Sequence, residues 1–333
     1  MADKKLKAMI MSAGLGSRLE PLTLQVPKPL VTVFNRPVMD ILFEKLAEID
    51  VRDVICNTYY LADQIIDRYK NNNFGINFNY IREEQLSGTA GGLKKCQYFF
   101  EDGETFIVLS ADGLTDTDIQ KGIEIHKKSS AIATIGVKHV KKEDVSSYGV
   151  VVVDENGYIV EFQEKPPVEE AKSNLINTGI YIFDYKIFDY IPENTFYDFA
   201  KNVFPKLLEK RQINTFKVEG YWNDIGTIPQ YIQSTKDVFA KACHFSHGNI
   251  VTTESGRYVS KSYVPKSVHF AGDSTIGEGC QIGENVKIEN SIIWDNVKIA
   301  AGVHLKNCIV ASDVSVTKNA ENKIIADNSL IPV

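Results

Sequence analysis

At 333 residues, 44% hydrophobic and 24% charged, the chain has the make-up of a globular protein with room for two domains. A net charge of −6 with both signs interspersed excludes a basic nucleic-acid surface, so no nucleic-acid partner is expected. No apolar run reaches membrane-spanning length, the first residues lack an apolar signal core, and five scattered cysteines form no C-x-x-C pair. These features predict a reduced, cytoplasmic protein with no membrane partner.

The first apolar run, 8–11, predicts a short buried strand that breaks into the turn Ser12-Ala13-Gly14-Leu15-Gly16-Ser17-Arg18. Glycines let the backbone pass close to a ligand, and successive N–H groups in such a turn form an anion-binding concavity. Arg18 and Lys28, the latter in Pro27-Lys28-Pro29, add positive charge. The turn is not a dinucleotide fingerprint, because Leu19 stands where the third glycine is needed, and no Gly-Lys-Ser/Thr makes it a P-loop. Helix over 38–49, strand over 51–58, helix over 61–70 and strand over 76–81 follow from apolar spacing. The loop Glu83–Gly92 leads into a helix starting near Ala90; strand 106–109 and helix 116–126 complete the pattern. Strand and helix in alternation predict a mostly parallel sheet covered on both faces, with ligands beyond the carboxyl ends of the strands.

Asp112 directly follows the strand at 106–109, where it either caps a turn or, beside phosphate oxygens, holds Mg2+. Asp116 and Asp118 read as acids at a helix N-terminus. In the loop, an ionised carboxylate matches the adjacent N1–H and N2–H2 donors of guanine, which makes Glu83, or Glu84, a candidate for reading that base. Uracil and thymine present an N–H between carbonyls and suit an amide such as Gln.

From 131 the pattern is strand-rich. Tyr148–Val153 turns through Asp154-Glu155-Asn156-Gly157 into a returning strand that delivers Glu164-Lys165-Pro166, by itself an ordinary charged turn. Asn177-Thr178-Gly179 follows, then an amphipathic helix over 196–210. In Trp222-Asn223-Asp224-Ile225-Gly226, Trp222 reads as packing and Asp224 as a cap for the helix at 229–242. No His/Cys cluster has zinc spacing. Beyond this helix, apolar residues recur every six positions, at Val264, Phe270, Ile276, Ile282 and Ile288, with a slip of one near Ile293. That period predicts a parallel β-helix of roughly three coils. His269 and His304 have no catalytic setting there, and the tail, 317–333, is expected to cover the coil's open end.

The glycine turn with Arg18 and Pro27-Lys28-Pro29, the Gly88-Thr89-Ala90 loop, Tyr148-Gly149, Glu164-Lys165-Pro166, Asn177-Thr178-Gly179 and Trp-x-Asp-x-Gly together closely resemble the sugar-1-phosphate nucleotidyltransferases, or NDP-sugar pyrophosphorylases. Within that family the whole chain looks most like the shorter mannose-1-phosphate guanylyltransferases with C-terminal hexapeptide repeats. Ala111, where the family has Gly or Ser, and Ser87, where it often has Leu, are departures. The resemblance implies an α/β catalytic domain over 1–243, a Rossmann-like, mostly parallel mixed sheet with helices on both faces, and a short left-handed β-helix over 244–333. It implies that Arg18 and Lys28 are catalytic, that Ala13, Gly14, Gly16, Ser17, Glu83, Gly88 and Thr89 hold the nucleotide, and that Asp112 and Asp224 hold Mg2+. Tyr148, Gly149, Glu164, Lys165 and Asn177 are then expected at the sugar phosphate. The expected reaction joins an NTP and a sugar 1-phosphate, with GTP and mannose 1-phosphate favoured, in a homo-oligomer assembled through the β-helix. Glucose 1-phosphate with dTTP, UTP or ATP, and a catalytically silent regulatory subunit, are the alternatives.

Overall fold

The computed structural model describes residues 5–245, 249–326 and 329–332. The chain divides into two compact units, one of Met1–Leu15, Pro27–Pro29 and Met39–Asp224, the other of Gly16–Val26, Leu30–Val38 and Ile225–Val333.

The first unit is built on strands β1 (Lys7–Met11), β2 (Asp53–Thr58), β3 (Asn77–Arg82), β4 (Thr105–Ser110), β5 (Gly113–Thr115), β6 (Ala133–His139), β7 (Gly149–Val153), β8 (Ile159–Glu164), β9 (Leu175–Asp184), β10 (Ile213–Lys217) and β11 (Trp222–Asp224). Nine of them form one mixed sheet in the order β8-β7-β9-β4-β1-β2-β3, with β6 on β9 and β10 on β6. β1 runs parallel to β2 and β4, and β2 to β3, while β9 runs antiparallel to β4 and β6.

The first strands are apolar runs rather than alternating ones because both faces are covered. Ala8, Ile10, Val54, Ile107 and Leu109 point to one face, Met9, Ile55 and Val108 to the other, and all are buried. Of the helices that follow in chain order, α1 (Val38–Glu48), α2 (Ala62–Tyr69) and α3 (Gly88–Lys95), the last contributes Ala90 and Leu93 to the cluster on the second face. On the first, helix α4 (Ile119–Lys128) approaches so closely that a Cβ on Gly122 would stand 2.7 Å from Ile182. Asp118 caps α4 by accepting the Gln120 N–H at 3.1 Å. Asp116 does not act at the helix end; its carboxylate accepts the Tyr221 N–H at 2.6 Å.

The helix expected over 196–210 is a π turn, Phe199–Val203, running into a short α-helix, Phe204–Leu208. Pro205 has no N–H to return to the preceding turn, so the regular ladder cannot run through this point.

In the second unit a helix, Ile228–Phe239, starts at Thr227, whose hydroxyl accepts the Gln230 N–H; the capping role considered for Asp224 falls to Thr227. After it the chain winds into stacked coils with parallel ladders on three sides. Phe270 pairs with Ile288 and Ile288 with Leu305; Ile276 with Ile293 and Ile293 with Val310; Ile282 with Ile299 and Ile299 with Val316. The step from one coil to the next falls from 18 residues between Phe270 and Ile288 to 17 between Ile288 and Leu305, which is the slip visible in the sequence. Of the tail, Ser329–Pro332 pairs antiparallel with Lys323–Ala326 and finishes that ladder; 327, 328 and 333 lie outside the described residues.

Candidate active site

The carboxyl ends of β1, β2 and β4 lie level, since Met11 pairs with both Asn57 and Ser110. The glycine turn leaves the sheet here. A Cβ built on Gly14 would meet nothing within 4 Å, so this side of the turn is open to a ligand. Ala13 is buried beside it. Gly16, Ser17 and Arg18 belong to the second unit, where Gly16 has φ +71° and its carbonyl accepts the Leu19 N–H and the Thr23 hydroxyl, both at 2.9 Å. That turn sets the backbone on which Arg18 is carried.

Asp112 and Asp224, 112 residues apart in sequence, are brought together by the β5–β11 ladder, in which Asp224 pairs with Gly113. The Lys28 ammonium is hydrogen-bonded to the Asp112 carboxylate, so this carboxylate already holds a cation in the free protein. The Tyr148 hydroxyl donates to Asp224 at 2.9 Å, and the Tyr148 ring packs edge-on against buried Trp222, centroids 5.7 Å apart. Trp222 in turn donates its indole N–H to the Thr178 carbonyl at 3.0 Å. Tyr148, expected at the sugar, thus holds a metal-candidate carboxylate in place.

Among the described residues no group of three or more His, Cys, Asp or Glu side chains is placed to hold a metal ion. Two neighbouring carboxylates fit Mg2+, which keeps waters and takes phosphate oxygens; they do not make the closed nitrogen–sulfur shell of zinc.

Gly149, Glu164 and Asn177 also come level. Glu164 pairs with Gly149 across β8–β7, and the Ile176–Val150 pair sets Asn177 beside Gly149 on the other side. Burial pushes the Glu164 carboxyl above its ordinary range, with Lys165 opposing. Lys165 has φ +48°, rare for a side-chain-bearing residue and more so before proline, and its N–H is fixed to the Tyr148 carbonyl at 3.0 Å. Asn177 is spent partly on its own turn: its amide donates to Tyr181 at 3.0 Å and accepts the Gly179 N–H at 3.0 Å.

The loop at 83–89 differs from expectation. Glu83 is buried, and its carboxylate accepts from Asn57 at 2.7 Å, from the Ser87 N–H at 3.1 Å, from the Ser87 hydroxyl, and from Lys95 at 3.2 Å. Both carboxylate oxygens are engaged, Oε1 by Asn57 and Oε2 by Ser87 and Lys95, and the side chain is buried, so Glu83 is not presented to a guanine as expected. Gly88 has φ +78° with Tyr197 backbone against it, where a Cβ would lie 2.4 Å from the carbonyl oxygen. Thr89 donates to Asp198 at 3.0 Å and accepts the Phe199 N–H at 2.9 Å. These three residues shape the loop, while Glu84 and Gln85 are its exposed polar side chains. The sequence reading missed Asn57 and Lys95; the one signal was a polar residue ending the buried strand of Ile55 and Cys56.

A family model described as nucleotidyl transferase matches residues 7–241, and one described as the EIF2B subunit epsilon LbH domain matches 241–332. A UTP–glucose-1-phosphate uridylyltransferase of Synechocystis sp. is 35% identical over 94% of this chain and 89% of its own length. A mannose-1-phosphate guanylyltransferase catalytic subunit beta of Dictyostelium discoideum is 32% identical over 94% and 88%. The fold is shared with a UDP-glucose pyrophosphorylase crystallised with UDP-glucose, at a TM-score of 0.62 and 22% identity over 71% of this chain and 99% of that one. The chain belongs to the nucleotidyl transferase family, as a sugar-1-phosphate nucleotidyltransferase that carries a C-terminal β-helix domain. Its reaction transfers the nucleotidyl group of a nucleoside triphosphate to a sugar 1-phosphate, with pyrophosphate as the leaving group. No helix among the described residues is long and apolar enough to cross a membrane.

Proposed function

We propose that the chain makes UDP-glucose and pyrophosphate from UTP and glucose 1-phosphate, using Mg2+. The observation carrying the choice of base is the burial of Glu83 among its own partners, which leaves the guanine argument to Glu84 alone and sets beside it Gln85, an exposed amide able to pair with uracil from both sides. The Synechocystis relative supports the same pair. GTP with mannose 1-phosphate is the second reading, favoured by the Dictyostelium relative and by exposed Glu84.

The acceptor phosphate is ionised near neutral pH, so the chemistry needs charge neutralisation and alignment rather than a protein nucleophile. Ala13, Gly14, Gly16 and Ser17 present backbone to the triphosphate. Arg18 offsets charge building on the departing pyrophosphate. Lys28 leaves Asp112 for the α-phosphate or the leaving group once the nucleotide is bound. Asp112 and Asp224 hold Mg2+, which supplies Lewis-acid neutralisation of the phosphate oxygens. Lys165 grips the phosphate of the sugar, while Glu164, Asn177 and the Gly149 backbone bind its hydroxyls. Gly88 and Thr89 form the floor of the base loop.

The reading takes 1–243 as the catalytic domain and 244–333 as the coil. It also includes a homo-oligomer formed through the coil, where Tyr263 is 81% exposed, and a cytoplasmic location, in keeping with five free, buried thiols. Pyrophosphate release measured over a grid of UTP, GTP, dTTP and ATP against glucose and mannose 1-phosphates tests the substrate pair. UTP with glucose 1-phosphate is expected to give the highest kcat/KM; a maximum at GTP with mannose 1-phosphate replaces it with the second reading.

A further inference from the structure

A chain of buried polar groups runs from the glycine turn to the base loop. The Ser12 N–H donates to the Asn57 side-chain oxygen at 3.1 Å, and the Ser12 hydroxyl to the Asn57 carbonyl at 2.8 Å. The Asn57 amide then donates to Glu83 at 2.7 Å, and the other oxygen of Glu83 takes both donors of Ser87 and the ammonium of Lys95. Ser12, Asn57, Glu83 and Ser87 are each at most 8% exposed. A buried charge is kept only where it is paired and fully hydrogen-bonded, and here the pairing joins the residue before the proposed phosphate contacts (from Ala13) to the two residues, Glu83 and Ser87, that bracket Gln85 and lead into Gly88 in the proposed base loop. Lys95 reaches the same knot from α3 and also donates to the Gln85 carbonyl at 3.4 Å.

We propose that Glu83 is a positioning residue for the nucleotide: one carboxylate that sets the phosphate turn and the base loop at a fixed separation without touching the base. This rests on the reading that those two segments hold the nucleotide. It accounts for a buried acid followed directly by an exposed acid, Glu84, and an exposed amide, Gln85. Glu83→Gln puts an amide donor either against Ser87 and Lys95 or, turned over, against the Asn57 amide donor, so the knot opens on one side whichever way the amide turns.

The test is steady-state pyrophosphate release by the full chain, its Glu83→Gln and Ser87→Ala variants, with each of the four NTPs and with the sugar 1-phosphate varied separately. Glu83→Gln is expected to raise KM for every NTP by a common factor of about tenfold, the scale of one buried hydrogen-bonding group left unpaired. The order of preference among NTPs and the KM for sugar 1-phosphate (within about twofold) stay as in the parent. Ser87→Ala, which removes only a hydroxyl, shifts KM for NTP in the same direction by about threefold at a nearly parental melting temperature. A changed order of NTP preference makes Glu83 a base reader and overturns the proposal. Unaltered KM for NTP in the folded variants, or equal rises for both substrates, overturns it too. If Glu83→Gln does not fold, Ser87→Ala decides by the same criteria. The parent's own NTP preference reports on the uridylyl reading, the variant-to-parent ratio on Glu83.

Discussion

Tyr148 is the residue whose expected and observed roles differ most usefully. Its neighbours Gly149 and Glu164 fall at the predicted sugar site, yet its hydroxyl spends a 2.9 Å hydrogen bond on Asp224. Tyr148→Phe keeps the ring on Trp222 and removes the hydroxyl that donates to Asp224. Activity assayed against Mg2+ concentration is expected to show kcat down by about tenfold and a higher Mg2+ requirement, with KM for sugar 1-phosphate unchanged. A rise in that KM alone returns Tyr148 to the sugar. The residue types gathered at the candidate site were legible, because strand-end acids and a glycine turn with Arg and Lys leave a local trace. Pairings such as Asn57 with Glu83 and Tyr148 with Asp224 were not, since they join residues 26 and 76 positions apart through the sheet.

At the scale of elements, β9 is bent by the turn at 177–179, where its register on β6 shifts. Gly179 has φ +75°, and a Cβ there would lie 2.6 Å from the Ser110 hydroxyl, on the strand that leads to Asp112. Gly179→Ala is expected to cost about 1–3 kcal/mol in denaturant unfolding and to lower kcat as well, because the strain falls on the site. Helix α4 carries a second consequence. His126 is buried with Nδ1 2.9 Å from the Thr134 hydroxyl, and burial lowers its pKa from 6.5 to about 4, with Asp184 opposing. Between those values the unfolded chain binds a proton that the folded chain does not. The stability from neutral His126 is therefore complete above about pH 6.5 and lost as pH falls toward 4. Urea unfolding at pH 7 and pH 5 is expected to differ by about 2 kcal/mol more in the parent than in His126→Gln. Helix and strand positions were readable from apolar spacing over the first parallel strands and their helices, but the short β5–β11 ladder was not. The π turn at 199–203 was not, since its cause is one proline acting against an otherwise helical pattern.

Across the whole molecule, the coil was the most legible part: its six-residue period is local, and even the change of step between coils leaves a one-residue slip in the sequence. The assignment of 16–26 and 30–38 to the second unit was illegible, because it depends on contacts such as Asn35 donating to the Ile276 carbonyl at 2.7 Å, 241 positions away. The partners of Glu83, one of the two acids that pointed to guanine, were illegible for a related reason: Asn57 and Lys95 reach it from other elements. What remains central is the pair of aspartates joined by the β5–β11 ladder, with cationic side chains to offset the meeting of two phosphates. The most direct measurement is kcat for pyrophosphate release, with saturating substrates and Mg2+, in Asp112→Asn and Asp224→Asn. Each is expected to lose about 10²-fold or more while melting near the parental temperature. A folded variant of either that turns over within a few-fold of the parent contradicts the account.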